Sequence, residues 1–157
     1  DYTRRSVALT FNDCGNFRDE WVNLAVNAQS PCVFTKDLQL LDLPVRHGES
    51  KFVAPPEVIS ALVENQQVVL KYARPDGQPA NGQFPDNPNG SIDDIAGICD
   101  PSGRIFGLMP HPEGYNHWTN HPLWTSQRER IKRGLEEAPT EITPGIKMFK
   151  NAVDYLR

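Results

Sequence analysis

The sequence lacks the features that mark membrane, secreted and nucleic-acid-binding proteins. Its 157 residues contain no signal peptide and no apolar run of about 18 residues, so we expect no membrane-spanning or secretory segment. The net charge is −4, and no basic patch is concentrated enough to predict a nucleic-acid partner. Internal repeats are also absent. With 38% hydrophobic and 23% charged residues, the composition is typical of one compact globular domain.

Cysteine is scarce, and no two cysteines form a C-x-x-C pair. Cys14, Cys32 and Cys99 are widely spaced and odd in number, which favours free thiols in a reducing cytoplasm over a disulfide scaffold. The chain opens at Asp1 rather than at a methionine. We therefore expect it to be part of a longer polypeptide whose translation start lies elsewhere.

Short segments rich in apolar and β-branched residues predict six strands. They cover residues 6–11, 21–26, 43–45, 68–72, 95–99 and 104–109. The last two segments are separated by Asp100-Pro101-Ser102-Gly103, which has proline and glycine where a type I turn favours them. These two strands are predicted to form a hairpin.

Three segments carry helix signals. Pro55-Pro56 precedes a common apolar face and predicts a helix start. Ser126 and Glu129 match the S-x-x-E capping box, which predicts a second helix running to about Glu137. Thr143-Pro144 predicts the start of a third helix near the end of the chain. Residues 74–91 are rich in Pro, Gly and Asn, and they predict a long ordered loop.

The motif Met-Pro-His-Pro-Glu follows a predicted strand and carries the strongest chemical signal. Two prolines flank His111 and prevent a helix there, so the imidazole is held at a strand end on a stiff backbone. Glu113 lies two residues further on, close enough to bond one ring nitrogen and leave the other free as a base. Such a base still needs a nucleophile. On spacing alone, a rigid turn with an exposed histidine is the commoner explanation.

Motifs along the rest of the chain add to this signal. They are PVRHGE at 44–49, NPNGS at 87–91, DIAGI at 94–98, GRIFGLMPHPE at 103–113 and GIKMF at 145–149, with Asn12, Gly15, Phe17, Trp21 and Val22 upstream. In this order they resemble the glutaminase domain of phosphoribosylformylglycinamidine synthase, a class I glutamine amidotransferase. MPHPE resembles the whole class, whereas NPNGS resembles this member. Three positions depart from the family pattern: Glu20, Ser50 and Gly114.

The resemblance implies an α/β fold with a largely parallel sheet, in a flavodoxin-like three-layer sandwich. It also implies hydrolysis of glutamine to glutamate and ammonia. His111 is then the base toward a cysteine and later the acid toward the leaving ammonia, and Glu113 orients it. His47, Gly48 and Glu49 match a segment near the family's glutamine pocket. The ammonia passes to a synthetase subunit or domain, which binds ATP and magnesium, so no cofactor or metal is expected in this chain.

The family's Gly-x-Cys-x-Gly nucleophile segment is missing from the sequence. Cys14 is followed by a strand pattern rather than an apolar helix, and Cys32 and Cys99 lie in apolar surroundings where thiols are usually inert. We therefore expect residues 1–157 to be the C-terminal portion of one amidotransferase domain. An uncovered sheet face would then favour self-association.

Several alternatives remain open on the sequence alone. The chain resembles other class I amidotransferases, which feed a different acceptor, and a non-catalytic module that keeps the fold is a further possibility. His117 and His121 have the spacing of helical zinc ligands, but Pro122 and the lack of further donors favour aromatic loop packing. His47 and Glu49 are placed on one face by strand alternation and form a candidate acid–base pair. Residues 87–91 lack the lysine of a phosphate-binding loop, so a simple turn with Gly90 at positive φ is the alternative there.

Overall fold

The computed structural model describes residues 6–139 and 142–157. Within them the chain folds into two antiparallel sheets and three α-helices. The strands are β1 (Ala8–Phe11), β2 (Arg18–Val26), β3 (Leu40–His47), β4 (Glu49–Val53), β5 (Val68–Ala73), β6 (Ile95–Cys99) and β7 (Phe106–Leu108). The helices are α1 (Pro56–Glu64), α2 (Trp124–Lys132) and α3 (Pro144–Tyr155).

The larger sheet has five strands in the order β3-β2-β5-β6-β7, and the smaller one pairs β1 with β4. Every pairing between these strands is antiparallel. The expected largely parallel arrangement is therefore wrong for the described residues. Parallel neighbours need a crossover connection, whereas β6 and β7 are joined by a short turn. The predicted hairpin is confirmed, since Gly103 N donates to Asp100 O at 2.9 Å.

The predicted strands all appear, but their bounds differ and one strand was missed. β2 and β3 are longer than their apolar segments because they pair over eight residues, from Arg18 with His47 to Ala25 with Leu40. β4 was not predicted, because its residues ESKFV are largely polar. It forms through its pairing with β1, which places Phe52 opposite Leu9.

Two of the three helix starts are confirmed. Helix α1 has proline at its first turn, and Thr143 caps α3 by accepting a hydrogen bond from Ile146 N. The capping box of Ser126 and Glu129 is wrong, because α2 already begins at Trp124 after an N-cap at Leu123. Helix α2 also ends before the predicted bound near Glu137, since Gly134 adopts a φ of 69° that terminates a helix.

Two apolar clusters bury the faces of these elements. The larger one contains Leu24, Leu43 and Tyr72 from the five-stranded sheet together with Met148 of α3. The smaller one joins Phe52, Val68 and Ile95 to the apolar side of α1. No helix among the described residues is long and apolar enough to cross a membrane.

The predicted ordered loop at 74–91 is held by one buried carboxylate. Asp94 accepts hydrogen bonds from Asn81 N, Gly82 N and Asn87 Nδ2, each at 2.8 Å. Backbone donors in a loop have few other partners, so one carboxylate that accepts from two of them and from a side-chain amide fixes the course of the loop. The neighbouring Asp93 instead points to solvent and lies 3.6 Å from Lys71 Nζ.

This difference predicts unequal effects for two adjacent substitutions. Asp94→Asn should lower the free energy of unfolding by about 1–3 kcal/mol, because the new amide group faces a buried donor. Asp93→Asn is the matched control and should change it by less than about 0.5 kcal/mol, as an exposed ion pair contributes little. Urea denaturation of both variants measures the two values. Equal effects would show that Asp94 does not organise the loop.

Candidate active site

The backbone of His111 is fixed to the edge of the five-stranded sheet. Its N–H donates to Pro44 O in β3 at 2.8 Å. One residue after β7, Met109 N donates to Ala96 O at 3.1 Å. Pro110, between these two anchors, is fully buried. His111 therefore lies at the end of a strand on a backbone that is held from both sides, as the proline motif predicted.

The imidazole of His111 is hydrogen bonded to Glu113, as predicted. Its Nδ1 lies 2.6 Å from Glu113 Oε1. A carboxylate only accepts, so Nδ1 carries the proton and Nε2 remains free. The two side chains stay partly exposed, at 36% and 62%, which leaves the imidazole accessible to a substrate.

Two opposing effects act on the carboxylate of Glu113. Partial burial raises its pKa, but the hydrogen bond and charge of His111, with Arg46 nearby, outweigh this effect and hold the pKa below its ordinary value. The carboxylate therefore stays charged as an acceptor for Nδ1–H. This is the arrangement that a histidine needs to act as a base through Nε2.

Close backbone packing sets the position of the turn that holds Glu113. Residues Pro112–Gly114 form a 3₁₀ turn, and α3 packs against it so tightly that a Cβ on Gly145 would lie 2.1 Å from Pro112 O. On the other side, a Cβ on Gly114 would lie 2.7 Å from the Pro44 ring. Gly114 is one of the departures from the family pattern, and in this chain the close contact with Pro44 explains it.

A cavity of about 280 Å³ adjoins the His111–Glu113 pair. Its other walls are largely apolar: Phe106 comes from β7, Met148 from α3 and Phe34 from the 3₁₀ turn Val33–Thr35. The predicted cleft is therefore present next to the imidazole. An apolar wall strengthens the electrostatic effect of the few polar groups beside it, because it excludes water.

His47 lies nearby, at the end of β3, and is 5% exposed. Its Nδ1 is 2.6 Å from Ser50 Oγ, and its Nε2 is buried without a hydrogen-bond partner among the described residues. Burial is the main cause of its lowered pKa, and a backbone hydrogen bond opposes this effect in part. Repulsion from the imidazole of His111, when that ring is protonated, acts in the same direction as burial. His47 is therefore held neutral, and it lies close enough to His111 for the two rings to interact electrostatically.

Glu49 does not share a face with His47, so the candidate acid–base pair, which the sequence favoured less than a supporting role for this segment, does not form. β3 ends at His47, the chain turns at Gly48, and Glu49 begins β4 in the other sheet. As a result Glu49 is exposed while His47 is buried. Strand alternation applies only within one continuous strand, and the sequence did not reveal this break.

The NPNGS segment forms a tight turn against the β1–β2 connection. Asn89 is fully buried and donates through Nδ2 to Ser50 Oγ and Tyr72 Oη, both at 2.9 Å. Gly90 adopts a φ of 79°, and a Cβ there would lie 1.9 Å from the Asp13 carboxylate. The turn with Gly90 at positive φ is confirmed, and its Asn89 side chain faces inward to the Ser50 hydroxyl.

The segment from Tyr115 to Trp124, to which the sequence assigned no role, packs onto the sheet through the rings of Tyr115 and His121. Trp21 makes edge contacts with Tyr115 and His121 at centroid distances of 4.9 and 4.7 Å. His121 Nε2 bonds Asp42 Oδ2 at 2.6 Å, and its Nδ1 accepts from Leu123 N at 3.2 Å. Both nitrogens of His121 are thus occupied by structural contacts.

Metal-ligating groups do not gather anywhere in the described part of the chain. No cluster of three or more His, Cys, Asp or Glu side chains is arranged to hold an ion there. His117, the other candidate ligand, instead caps a short 3₁₀ turn by accepting from Thr119 N. The two histidines therefore serve the local fold.

The three cysteines are free and differ in exposure. Cys32 and Cys99 are buried, and burial raises the pKa of both thiols. Cys14 is exposed, and a backbone hydrogen bond at Asn16 is the main cause of its lowered pKa. The groups that act on the Cys14 thiol are Asn16 and Arg18, and neither is a base of the kind that activates a nucleophile.

Sequence reasoning missed the buried polar residues that support the site. Ser50 was noted only as a departure from the family pattern, and Tyr72 only as part of a strand. The signal for Ser50 was its position two residues before Phe52, on the same face of a strand that was not predicted. For Asp42, the partner of His121, the sequence carries no signal, because the contact joins residues far apart in the chain.

A mixed α/β fold with a carboxylate-oriented histidine at a strand end is typical of a glutamine amidotransferase. Residues 1–156 match the CobB/CobQ-like glutamine amidotransferase domain, and the chain belongs to this family. Over 155 residues it is 43% identical to phosphoribosylformylglycinamidine synthase subunit PurQ of Methanococcus maripaludis, covering 99% of this chain and 57% of that protein. PurQ of Dehalococcoides mccartyi is 44% identical over 153 residues, covering 98% and 54%.

A solved structure agrees with these relatives. The structure of PurLQS from Thermotoga maritima matches with a TM-score of 0.59 and 28% identity, over 98% of this chain and 54% of that chain. This likeness confirms the predicted class I glutamine amidotransferase-like α/β fold. The chain spans little more than half the length of the relatives that it matches.

The hydrogen bond between His111 and Glu113 predicts how Glu113 titrates. In the intact chain its pKa lies below the ordinary value, so the contact contributes stability above that ordinary value and loses it as the pH falls through the lowered pKa. His111→Ala should move the pKa of Glu113 upward, because the hydrogen bond and charge of His111 no longer oppose the effect of partial burial. NMR titration of the carboxyl carbon measures the shift.

His117→Ala is the control for this titration, since His117 bonds Thr119 and not Glu113. It should leave the pKa of Glu113 unchanged. An unchanged pKa in His111→Ala as well would contradict the orienting contact.

Proposed function

We propose that this chain is the C-terminal portion of the glutaminase part of a phosphoribosylformylglycinamidine synthase. This part hydrolyses glutamine to glutamate and ammonia, and the ammonia is used to amidate formylglycinamide ribonucleotide in purine biosynthesis. The observation that carries the proposal is the 2.6 Å contact between His111 Nδ1 and Glu113 Oε1. The identity to two PurQ proteins over nearly the whole chain supports the choice of this member.

The proposed chemistry uses the free Nε2 of His111. It removes the proton from a cysteine thiol, and the thiolate attacks the side-chain amide carbon of glutamine. His111 then returns the proton to the departing nitrogen, so that ammonia leaves and a thioester remains. Water, deprotonated by the same nitrogen, cleaves the thioester to glutamate. Glu113 holds the imidazole in the required tautomer throughout.

The nucleophile in this proposal comes from outside residues 1–157. No Gly-x-Cys-x-Gly segment occurs in the sequence, and the thiols of Cys32 and Cys99 are buried. The backbone donors that stabilise the developing oxyanion would also come in part from the nucleophile turn. Residues His47, Gly48 and Glu49 are proposed to line the glutamine pocket, since His47 lies close enough to His111 to feel its charge.

The proposed partner is a synthetase subunit or a synthetase domain of the same enzyme. It would bind ATP and magnesium and receive the ammonia. The match to the PurLQS structure supports a synthetase partner. We place the reaction in the cytoplasm, where the three free cysteines would remain reduced.

An apolar face next to the edge strand β7 supports the proposal that a further part of the domain packs here. A cavity of about 300 Å³ opens between β1 and the β6–β7 hairpin, lined by Val7, Leu9, Phe52 and Leu108. Leu9 is 51% exposed. The occupant we propose is the rest of the amidotransferase domain, and in its absence a second copy of this chain.

The activity test compares this chain with the longer polypeptide that contains it. The 157-residue chain should release no glutamate from glutamine, because the thiolate and part of the oxyanion site are missing. The longer polypeptide with its synthetase should turn glutamine over. His111→Ala in that polypeptide should lose several orders of magnitude in kcat, since members of a catalytic triad act as a unit.

Cys14→Ser is the control in both the 157-residue chain and the longer polypeptide, and it should leave the rates of glutamine hydrolysis unchanged. Labelling of Cys14 by a glutamine-directed alkylating analogue, or glutamate release by the chain that Cys14→Ser abolishes, would show that the nucleophile has been misplaced. A longer polypeptide that hydrolyses no glutamine would contradict the proposed function itself.

The apolar face predicts that the isolated chain pairs with a second copy in solution. Sedimentation velocity should detect a species of about twice the 17.7 kDa chain mass, because an uncovered sheet edge and apolar face favour pairing. Leu9→Glu places a charge on this face and should restore the monomer. Leu123→Glu, at an exposed leucine elsewhere, is the matched control and should not. A strictly monomeric parent chain that binds no apolar dye would contradict the prediction.

A further inference from the structure

A cavity of about 770 Å³ lies between the β2–β3 connection and α3. It is larger than the cavity of about 280 Å³ beside His111, and its volume is within the range of about 300–1,000 Å³ that small-molecule sites occupy. Polar and charged side chains make up much of its lining. The proposed hydrolysis of glutamine uses none of them, so that chemistry leaves the larger cavity without a role.

One wall separates the two cavities. Phe34 of the 3₁₀ turn Val33–Thr35 lines the cavity beside His111, whereas the other two residues of this turn line the larger cavity. In α3, Met148 lines the first cavity and Asn151 lines the second. The larger cavity is therefore a separate site, and a molecule bound in it would contact the wall of the cavity at His111.

Asn151 presents an unpaired acceptor to the larger cavity. It is 6% exposed, and its Nδ2 donates to Phe34 O at 3.0 Å and to Lys36 O at 2.7 Å. Two carbonyl groups at Nδ2 fix the orientation of the amide, so Oδ1 is the acceptor. Oδ1 accepts no hydrogen bond from the described residues. Buried polar atoms almost always have a partner, so we expect a bound molecule to donate an O–H or N–H here.

The charges around this cavity favour an anion. Asp154 already bonds Lys150, with Nζ 2.6 Å from Oδ2. This hydrogen bond outweighs desolvation and, with the charges of Lys150, Arg157 and Lys147, holds the pKa of Asp154 below its ordinary value. The negative end of the α3 dipole opposes an anion only in part, since it corresponds to about half a unit charge. Cations outnumber carboxylates here: Lys36, Lys147, Lys150 and Arg157 against Asp37 and Asp154.

Three side chains of α3 line the cavity in a row. Lys147, Asn151 and Tyr155 follow each other at intervals of four residues, which places them on one face of the helix. The row extends over about 12 Å, because an α-helix rises about 1.5 Å per residue. It presents an ammonium group, then an amide acceptor, then an aromatic ring. A nucleotide carries the matching groups in the same order, which are phosphate, ribose hydroxyls and base.

We propose that this cavity binds a nucleoside 5′-monophosphate, with its phosphate at Lys147 and Lys36. A ribose hydroxyl donates to Asn151 Oδ1, and the base stacks on the ring of Tyr155. Lysine binds phosphate as a point charge, and an aromatic ring stacks on any of the bases. The site therefore selects the nucleotide class more than a particular base. A smaller anion would leave Asn151 and Tyr155 unused.

Calorimetric titration of the 157-residue chain with adenosine 5′-monophosphate (AMP), adenosine and ribose 5-phosphate tests the contacts separately. Lys147→Gln should weaken binding of AMP and ribose 5-phosphate about tenfold, since it removes a hydrogen bond to a charged group. It should leave adenosine unchanged. Tyr155→Leu should weaken AMP and adenosine about tenfold through lost stacking and leave ribose 5-phosphate unchanged. Tyr155→Phe keeps the ring and should bind all three probes as the parent chain does.

Lys132→Gln is the matched control for charge. Lys132 is exposed on α2 and does not line the cavity, so this variant changes the net charge equally and should bind AMP as the parent chain does. Urea denaturation of each variant checks that the fold is retained. The side-chain amide resonances of Asn151 should shift when AMP is added to the parent chain, because the ribose bonds the other end of that amide.

The longer polypeptide tests whether the cavity stays open in the complete domain. Its synthetase binds nucleotide on its own account, so the measurement is the part of AMP binding that Lys147→Gln weakens. That part should be present. Its loss in the longer polypeptide would overturn the proposal, because the rest of the domain then fills the cavity.

Three results with the 157-residue chain would also overturn the proposal. One is the absence of saturable AMP binding at millimolar concentrations. Another is equal weakening by Lys147→Gln and Lys132→Gln, which is the behaviour of an anion attracted to any basic surface. The third is unchanged adenosine binding in Tyr155→Leu, which would remove the base from its proposed contact. Glutamine turnover enters none of these measurements, so they stand whether or not the proposed function holds.

Discussion

The hydrogen bond from His111 N to Pro44 O is the contact on which the site depends. Pro44 lies in β3, an edge strand of the five-stranded sheet, where proline is tolerated because the missing N–H removes no ladder bond. Its carbonyl still needs a donor, and His111 supplies it at 2.8 Å. The same contact covers part of an exposed sheet edge and places the imidazole. The hydrogen bond that covers the sheet edge is therefore the same one that positions the His111 imidazole.

The segment after His111 covers more of this edge of the five-stranded sheet. Gly114 rests against the Pro44 ring, and Tyr115 and His121 pack on Trp21 of the adjacent strand. Helix α3 then closes over the turn, with Gly145 against Pro112 O and the Thr143 hydroxyl bonded to Tyr115 O. The orientation of Glu113 toward His111 is therefore a consequence of packing on two sides, and it does not rest on the short hydrogen bond alone.

A buried polar network stabilises the other side of the site. Asn12, His47 and Asn89 come from separate segments and bond the Ser50 hydroxyl, and Tyr72 joins this network through Asn89. Burial raises the pKa of the Tyr72 hydroxyl, so Tyr72 stays neutral within the network. Such a network is favourable only when nearly every member is paired. The one exception among these residues is Nε2 of His47, which is buried without a hydrogen-bond partner in the described part of the chain.

The local features of this protein could be predicted from its amino-acid sequence. Paired prolines held His111 out of a helix, Asp100 to Gly103 formed the predicted hairpin turn, and Thr143 capped α3. Each of these depends on neighbours within a few residues, which the sequence displays directly. The short spacing from His111 to Glu113 predicted their hydrogen bond for the same reason.

The remaining features depend on contacts between distant parts of the chain. Antiparallel pairing, the polar strand β4 and the separation of Glu49 from His47 follow from which strands meet in space. The partners of Ser50 and the contact between His121 and Asp42 join residues distant in the chain. The free energy of such contacts comes from burying and pairing groups that the fold brings together. No local sequence pattern predicts which distant residues meet. The buried hydrogen bonds around His47 were therefore recognised only in the folded chain.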